Sequence, residues 1–387
     1  MKTTFDMPLK DDLLRRIGDY SAKESVPFYL YDSATMRKHC QMFLQVPYPN
    51  KSIHFATMAN NNPVFLKILK EEGLHVFVNS IEHLKVVQNC GFENEEIVYT
   101  ASALNEKTMS VIHESQIQVN LDSPLQLQQW FRLFPDSPVG IRCNIGDGLK
   151  AHNNHAGSFI GSRSRLGFTR EEMEQIQQKD IINGLHLYAG TDIFDIDYLL
   201  ACYREIVALA QLFPNLDYLN FGGGFGVSEN WGQHFNIDRF GCEVTALMEM
   251  ANKAYGKELK LILEPGRIIG AEAGFFICHA ADLKTRGNLR LIGVDASSVQ
   301  FPRPLFYPEI AKHPVVVFRK GQLVAEGKPK LSSIYGCSTY SRDFLASEVL
   351  LPPVEIGDTL VFGNAGSYCS SLYTRFLGFS QPEEVFI

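Results

Sequence analysis

A carboxylate, an arginine and a run of glycines follow apolar runs in this chain, in an arrangement that suits a phosphorylated ligand. In LILEPGRIIG, Glu264 closes an apolar strand candidate, Pro265 and Gly266 force a turn, and Arg267 offers a forked donor matched to a phosphate. In LDYLNFGGGFG, Gly222, Gly223 and Gly224 follow another apolar run. Backbone amides approach a phosphate closely only where no Cβ intervenes, so the three glycines suit a cradle. A tight strand-to-helix turn explains the glycines equally well, whereas a surface turn with an ion pair is the lesser alternative for Glu264 and Arg267. FGNAGSYCSS adds Gly366 and Tyr368. HFATMANNNP has the form of a strand that delivers one side chain to such a site, yet that side chain is Met58. A thioether cannot form a Schiff base, take a proton or hold a hard metal.

The elements that must position these residues alternate regularly. From about residue 27 to 265, short β-rich runs (PFYLYD, SIHFAT, LHVFVNS, EEIVYTA, IQVNLDS, VGIRCNI, GLHLYAG, LDYLNFG, LKLILEPG) are separated by helical stretches such as NPVFLKILKEEG and DYLLACYREIVALAQLF. This rhythm over roughly 240 residues predicts a (β/α)8 barrel, whose chemistry belongs at the C-terminal ends of its strands. After about residue 267 the helices fade, and FFICHAADLKT, LRLIGVDA, HPVVVFRKGQLVAEG and GDTLVFG predict a separate β-rich domain. The expected division is a barrel over 27–266, with 1–26 joining 267–387 in the β-domain.

The bulk properties agree with a two-domain globular protein. The chain has 387 residues, 45% of them hydrophobic and 20% charged, enough to bury a large core. Its net charge of −7 argues against nucleic acid or an anionic membrane surface as a main partner. The start, MKTTFDMPLKDDLLRR, lacks the apolar centre of a signal peptide, and no run has the apolar length of a membrane span. Eight cysteines lie singly with no C-x-x-C, so neither a metal site nor a disulfide framework is expected. A cytoplasmic location is the expectation.

Taken in order, these motifs resemble the fold type III pyridoxal-phosphate decarboxylases, the family of ornithine, diaminopimelate and arginine decarboxylases. The resemblance runs from about residue 26 to the C-terminus. It includes VNLDS (119–123), IRCN (141–144), SRLGF (164–168), GLHLYAGT (184–191), DASSVQFPRPLFY (295–307) and YGCSTYSRDFL (335–345), besides the glycine, E-P-G-R and GSYCSS motifs. It implies an alanine racemase-like barrel with a C-terminal β-domain, and pyridoxal 5′-phosphate as cofactor. Gly223, Gly224, Arg267 and Tyr368 stand at the family's phosphate-holding places, with Gly366 and Gly266 beside them. Glu264 stands where the family pairs a carboxylate with the pyridine nitrogen, so that the ring acts as an electron sink.

Other positions depart from the family. Its strand reads Y-A-V-K-A-N, and the lysine carries the cofactor covalently; HFATMAN keeps Ala56, Ala59 and Asn60 but puts Met58 at the lysine. VFVNS puts Phe77 where an aspartate normally sits near that lysine. The histidine that stacks on the cofactor becomes Tyr188. The catalytic cysteine of G-P-x-C becomes Thr339 and its acidic neighbour becomes Tyr340, while Cys337 lies two positions early. Losing either the lysine or its carboxylate alone would strand a buried charge, whereas losing both leaves an apolar pair. The pattern therefore reads as natural divergence, with Met58 filling the lysine's space and touching Phe77 or Tyr188.

Asp295 and Arg303 resemble the family's substrate-end residues, although ordinary surface charges on a β-domain turn explain them nearly as well. His54 and His186 read as structural. Lys150, in the polar loop IGDGLKAHNNH, is a candidate substitute for the missing lysine. The expected protein is a decarboxylase-like, pyridoxal-phosphate-dependent protein that holds its cofactor non-covalently and takes an amino acid or amino-acid conjugate. The alternatives are a non-catalytic binder of the cofactor or another phosphorylated ligand, and a racemase or lyase on the same scaffold. The family also implies a two-fold homodimer.

Overall fold

The computed structural model describes residues 11–21, 27–149, 159–229 and 233–387. The chain divides into two compact units: Arg37–Gly226 with Phe235–Gly266, and Met1–Met36 with Val227–His234 and Arg267–Ile387. PFYLYD, the first run of the barrel series above, lies in the second of these. It forms β1 (Phe28–Tyr31), which pairs antiparallel with β10 (Gly274–Arg286) on one side and parallel with β17 (Glu383–Phe386) on the other. Both edges of β1 are thereby occupied by late strands. Periodicity gave no sign of this, because a short buried strand looks alike in a barrel and a sheet.

The eight remaining runs form β2 (Lys51–Ala56), β3 (His75–Val78), β4 (Ile97–Thr100), β5 (Gln118–Leu121), β6 (Val139–Arg142), β7 (Ile182–His186), β8 (Tyr218–Asn220) and β9 (Lys260–Leu263). They close into an eight-stranded barrel in sequence order, all pairs parallel, with Ser52 of β2 opposite Ile262 of β9 at the seam. Strands covered on both faces read as continuous apolar runs, and all four residues of β4 are buried. Six of the helices that follow begin on a side-chain cap: Asn62, Ser80, Asn105, Ser123, Asp195 and Asn236 accept from amides of the first turn. Pro63 and Pro124 open two of these helices, where no amide donor is needed. Inside the barrel, Tyr218 fills the space that Gly140 and Gly184 leave, since a Cβ on either would overlap its side chain. Tyr218 Oη donates to Asn120 Oδ1 at 2.7 Å, and Asn120 Nδ2 donates to Thr100 Oγ1 at 2.9 Å, so these three buried side chains pair with one another. His54 is buried and held by Ser52 Oγ (2.9 Å) and Val76 O (3.3 Å), a structural histidine.

The second unit is a nine-stranded sheet. Besides β1, β10 and β17 it contains β11 (Leu289–Val294), β12 (Val315–Arg319), β13 (Gln322–Leu323), β14 (Lys330–Tyr335), β15 (Phe344–Leu351) and β16 (Thr359–Phe362). Ile17, from the helix Asp11–Ser21, packs with Phe28, Leu30, Phe275, Ile277, Val316, Phe318 and Val361 in its core. β14 (KLSSIY) and β15 (FLASEVLL) were not among the expected strands. Their polar residues weaken the apolar pattern, and they are set by pairing with β11 and with each other. Among the described residues no helix is long and apolar enough to cross a membrane, and no cluster of His, Cys, Asp and Glu could hold a metal ion.

Candidate functional site

In the barrel unit the candidate residues gather at the C-terminal ends of neighbouring strands. Glu264 directly follows β9 and is 4% exposed. A carboxylate removed from water needs donors, and it has them. Asn220 Nδ2, at the end of β8, donates to Oε1 at 2.6 Å, and His186 Nε2, at the end of β7, lies 3.2 Å from Oε2. His186 Nδ1 is buried and has no hydrogen-bond partner among the described residues, so the ring's hydrogen belongs on Nε2, which donates to Glu264. A carboxylate offers about four lone-pair sites, and these two donors leave room for a ligand N–H.

The glycine turn lies alongside. Gly222 N–H donates to Asn220 Oδ1 at 2.9 Å, and Glu264 N–H donates to Gly222 O at 2.8 Å. Gly224 has φ +95°, where a side chain would be strained, and a Cβ on Gly223 would overlap the carbonyl oxygen of Glu264. The N–H groups of Gly223 and Gly224 have no acceptor among the described residues. Two adjacent backbone donors without internal partners are what an oxyanion needs.

Met58 lies in the turn just past β2 and is partly exposed. That turn is pinned to β3: Thr57 donates to Phe77 O from both its N–H (3.1 Å) and its Oγ1 (2.9 Å). Thr57 Oγ1 also lies 3.0 Å from His83 Nδ1, and burial lowers the His83 pKa. Phe77 thus holds the turn through its backbone.

Tyr188, two residues beyond β7, meets the ring of Phe159 edge-to-face at 4.9 Å. Burial pushes its phenol up to about 12, and a hydrogen bond with Thr191 opposes that shift. Its ring is therefore neutral at ordinary pH. Arg142 ends β6, with its Nε 3.9 Å from Asp122 Oδ1. Burial lowers its pKa, against attraction from Asp122 and Glu264. Asp122 also accepts from Ser102 Oγ (2.5 Å) and Gly167 N–H (3.1 Å), and Arg165 donates to Ser102 at 2.9 Å. IRCN and SRLGF by themselves give Arg142 and Arg165 no role, His186 reads as structural in the sequence, and Asn220 does not stand out there. The signal was a polar residue at the end of an apolar run, as in LDYLN and GLH.

In the sheet unit Arg267 opens the short helix Arg267–Gly270, and its guanidinium donates to Glu229 Oε1 (2.7 Å) and Val227 O (3.3 Å). Arg303 is 3% exposed and donates to the same carboxylate at 3.1 and 3.4 Å, so it is no ordinary surface charge. Glu229 was missed, because nothing in GVSEN marks it as the partner of two arginines. Tyr368 has φ +53°, in the left-handed region, and the neighbouring Ser367 Oγ donates to Arg267 O at 3.3 Å. Gly366 N–H donates to Ala271 O at 3.2 Å. Asp295 is half-buried just past β11 and accepts from His279 N–H at 2.7 Å.

Thr339 and Tyr340 lie in the loop between β14 and β15, with Thr339 exposed and Tyr340 edge-to-face with Phe376 at 5.5 Å. Asp343 organises this loop by accepting from Ser298 N–H (2.6 Å), Ser338 N–H (3.0 Å) and Ser297 Oγ (3.1 Å). Cys337 N–H donates to Ala296 O at 2.9 Å, which pins the exposed Cys337 two positions before Thr339. Lys150 lies outside the described residues.

Residues 33–271 match the family model for the pyridoxal binding domain of pyridoxal-dependent decarboxylases, and the chain belongs to this family. Diaminopimelate decarboxylase of Streptomyces coelicolor is 27% identical over 385 residues, covering 93% of this chain and 84% of that protein. Among solved structures, diaminopimelate decarboxylase from Helicobacter pylori complexed with L-lysine superposes with a TM-score of 0.84 at 22% identity, covering 96% of this chain and 94% of that one. Lysine/ornithine decarboxylase complexed with putrescine from Vibrio vulnificus gives 0.82 at 18%, covering 98% and 99%. The fold is a barrel with a separate β-domain, as in these relatives, and family membership implies pyridoxal 5′-phosphate as cofactor. The barrel unit's donor set fits that group's non-covalent needs: amides on Gly223 and Gly224 with no acceptor among the described residues for a phosphate, and spare acceptor capacity on buried Glu264 for a ring N–H.

Proposed function

We propose that this protein is a divergent pyridoxal-phosphate-dependent, decarboxylase-like protein that holds its cofactor without a covalent link and takes an amino acid or amino-acid conjugate. The observation that carries the reading is the combination in the barrel unit of a doubly anchored Glu264 and open amides at Gly223 and Gly224, with Met58 past β2. Bound pyridoxal phosphate supplies an electron sink for charge left at a substrate's α-carbon. Glu264 holds the ring N–H, the glycine amides hold the phosphate, and Tyr188 forms an apolar wall. On the family pattern, Arg267 and Tyr368 serve the phosphate, Asp295 and Arg303 the substrate, and Thr339 and Tyr340 take the places of the thiol and its acidic neighbour. A cytoplasmic homodimer belongs to the same reading.

Isothermal titration of the unmodified protein with pyridoxal 5′-phosphate tests this, followed by borohydride and intact mass. The expected result is saturable binding with no covalent increment. Absence of binding removes the cofactor assignment. An increment on one lysine, Lys150 included, moves covalent attachment to that residue.

A second reading, a non-catalytic binder, draws on Thr339 and Tyr340, since an exposed hydroxyl and a phenol supply neither thiol nor carboxylate. The same loop speaks to substrate. Tyr340, packed against Phe376, carries no acidic group to grip a distal ammonium. Free ornithine and lysine are therefore expected to be poor substrates, and carbon dioxide release that saturates at micromolar concentrations of either would overturn this expectation.

A further inference from the structure

Asn220 is the last residue of β8 and is fully buried. Its side chain spans the two halves of the barrel unit's site. Oδ1 accepts from Gly222 N–H at 2.9 Å, at the start of the glycine turn, and Nδ2 donates to Glu264 Oε1 at 2.6 Å. The partners settle which end of the amide is which, because a backbone N–H only donates and the carboxylate accepts. The backbone of Asn220 is committed as well: its carbonyl accepts from Leu187 N–H at 2.8 Å, and it sits opposite His186 in the barrel ladder. The ladder fixes the Cα, and the side chain is held by its own two hydrogen bonds.

We propose that Asn220 is the positioning residue that places the phosphate-binding amides and the ring-binding carboxylate in one fixed relation, one end of its amide serving each. The inference rests on the reading of the ligand as pyridoxal phosphate. A side chain that only filled space would affect both groups together. Asn220 instead divides by atom: the oxygen governs the glycine turn, and the N–H governs Glu264. His186 holds the other carboxylate oxygen, but among the described residues its side chain makes no hydrogen bond to the turn, so it lacks this linking role.

Two variants separate the two ends. Asn220→Asp keeps an oxygen for Gly222 N–H and replaces the donor facing Glu264 with a second carboxylate oxygen. Two carboxylates in such contact share a proton, so the negative charge is divided between residues 220 and 264 and Glu264 becomes a weaker acceptor for a ring N–H. Inorganic phosphate affinity is then expected to stay within about twofold of wild type, while pyridoxal 5′-phosphate binds at least about tenfold more weakly, the loss of one charge-assisted hydrogen bond. The absorbance band of the bound ligand shifts as well, because its ring nitrogen changes protonation. Asn220→Ala removes both ends, and both affinities are expected to fall at least about tenfold. Titration calorimetry with inorganic phosphate and with pyridoxal 5′-phosphate, plus absorbance spectra, reads all of these.

If the wild-type protein binds neither ligand, the proposed function fails without reference to Asn220. If wild type binds both and Asn220→Asp weakens them equally, or leaves pyridoxal phosphate binding and its spectrum unchanged, the positioning role is overturned. Should Asn220→Ala not fold, Asn220→Asp decides by itself, because its two ligands are expected to part company.

Discussion

Met58→Lys is expected to convert non-covalent cofactor binding into a borohydride-fixable covalent link, read by intact mass as one reduced cofactor per chain. The turn that carries Met58 is fastened to β3 through Thr57 and Phe77 O, and closed by Ala59 N–H donating to Ala56 O at 2.9 Å. A substituted lysine therefore inherits a defined backbone position. Its ammonium would stand beside the half-buried Phe77 rather than a carboxylate, and desolvation lowers the pKa of such an amine. The neutral amine attacks the aldehyde carbon, water leaves, and borohydride delivers hydride to the new carbon–nitrogen bond. Decarboxylation is expected to remain slow in the same variant, because the Thr339 hydroxyl does not replace a thiol. Peptide mapping that places the reduced cofactor on residue 58 supports the first half, and carbon dioxide release tests the second. A wild-type protein that already yields the same increment would sink the argument.

Gly223→Ala is expected to weaken pyridoxal 5′-phosphate binding by about ten- to a hundredfold, the loss of one charge-assisted hydrogen bond of roughly 1.5–3 kcal/mol. The added Cβ meets the carbonyl oxygen of Glu264, a backbone atom that cannot rotate aside. Either the glycine turn lifts, or Glu264 is displaced from Asn220 and His186. Both movements spoil the site: one misdirects the amides of Gly223 and Gly224, the other moves the ring's acceptor. Met58→Ala is the matched control, since trimming a partly exposed thioether should change affinity little. Calorimetry on both variants, with circular dichroism to show that the barrel persists, measures the contrast. Equal affinities in Gly223→Ala and wild type would mean that the phosphate is held elsewhere.

Much of this arrangement is legible in the chain, because much of it is local. The caps Asn62, Ser80 and Ser123 announce helices within three residues of themselves, and Pro63 and Pro124 mark where they begin. The apolar run ending in Glu264-Pro265-Gly266 and the run ending in three glycines locate strand ends directly. A barrel puts those ends at one mouth, so Glu264 and the glycine turn were both readable as site residues. β14 and β15 were not readable, because their serines and charged residues carry no clean alternation and their partners decide them.

What the sequence by itself determined is therefore the β–α rhythm, the turn chemistry and the residue types at the strand ends, all properties of windows a few residues wide. Only the tertiary structure decided which of those residues meet. His186 and Glu264 are separated by 78 positions, Asn220 and Glu264 by 44, and Glu229 and Arg303 by 74. The placement of β1 beside β10 and β17, rather than in the barrel, is a decision of the same kind. Such partnerships depend on ladder register and barrel closure, where a shift of one residue turns a side chain to the opposite face. Asn220 could therefore be seen in the sequence as a polar residue before three glycines, but its tie to Glu264 exists only once β8 and β9 lie side by side.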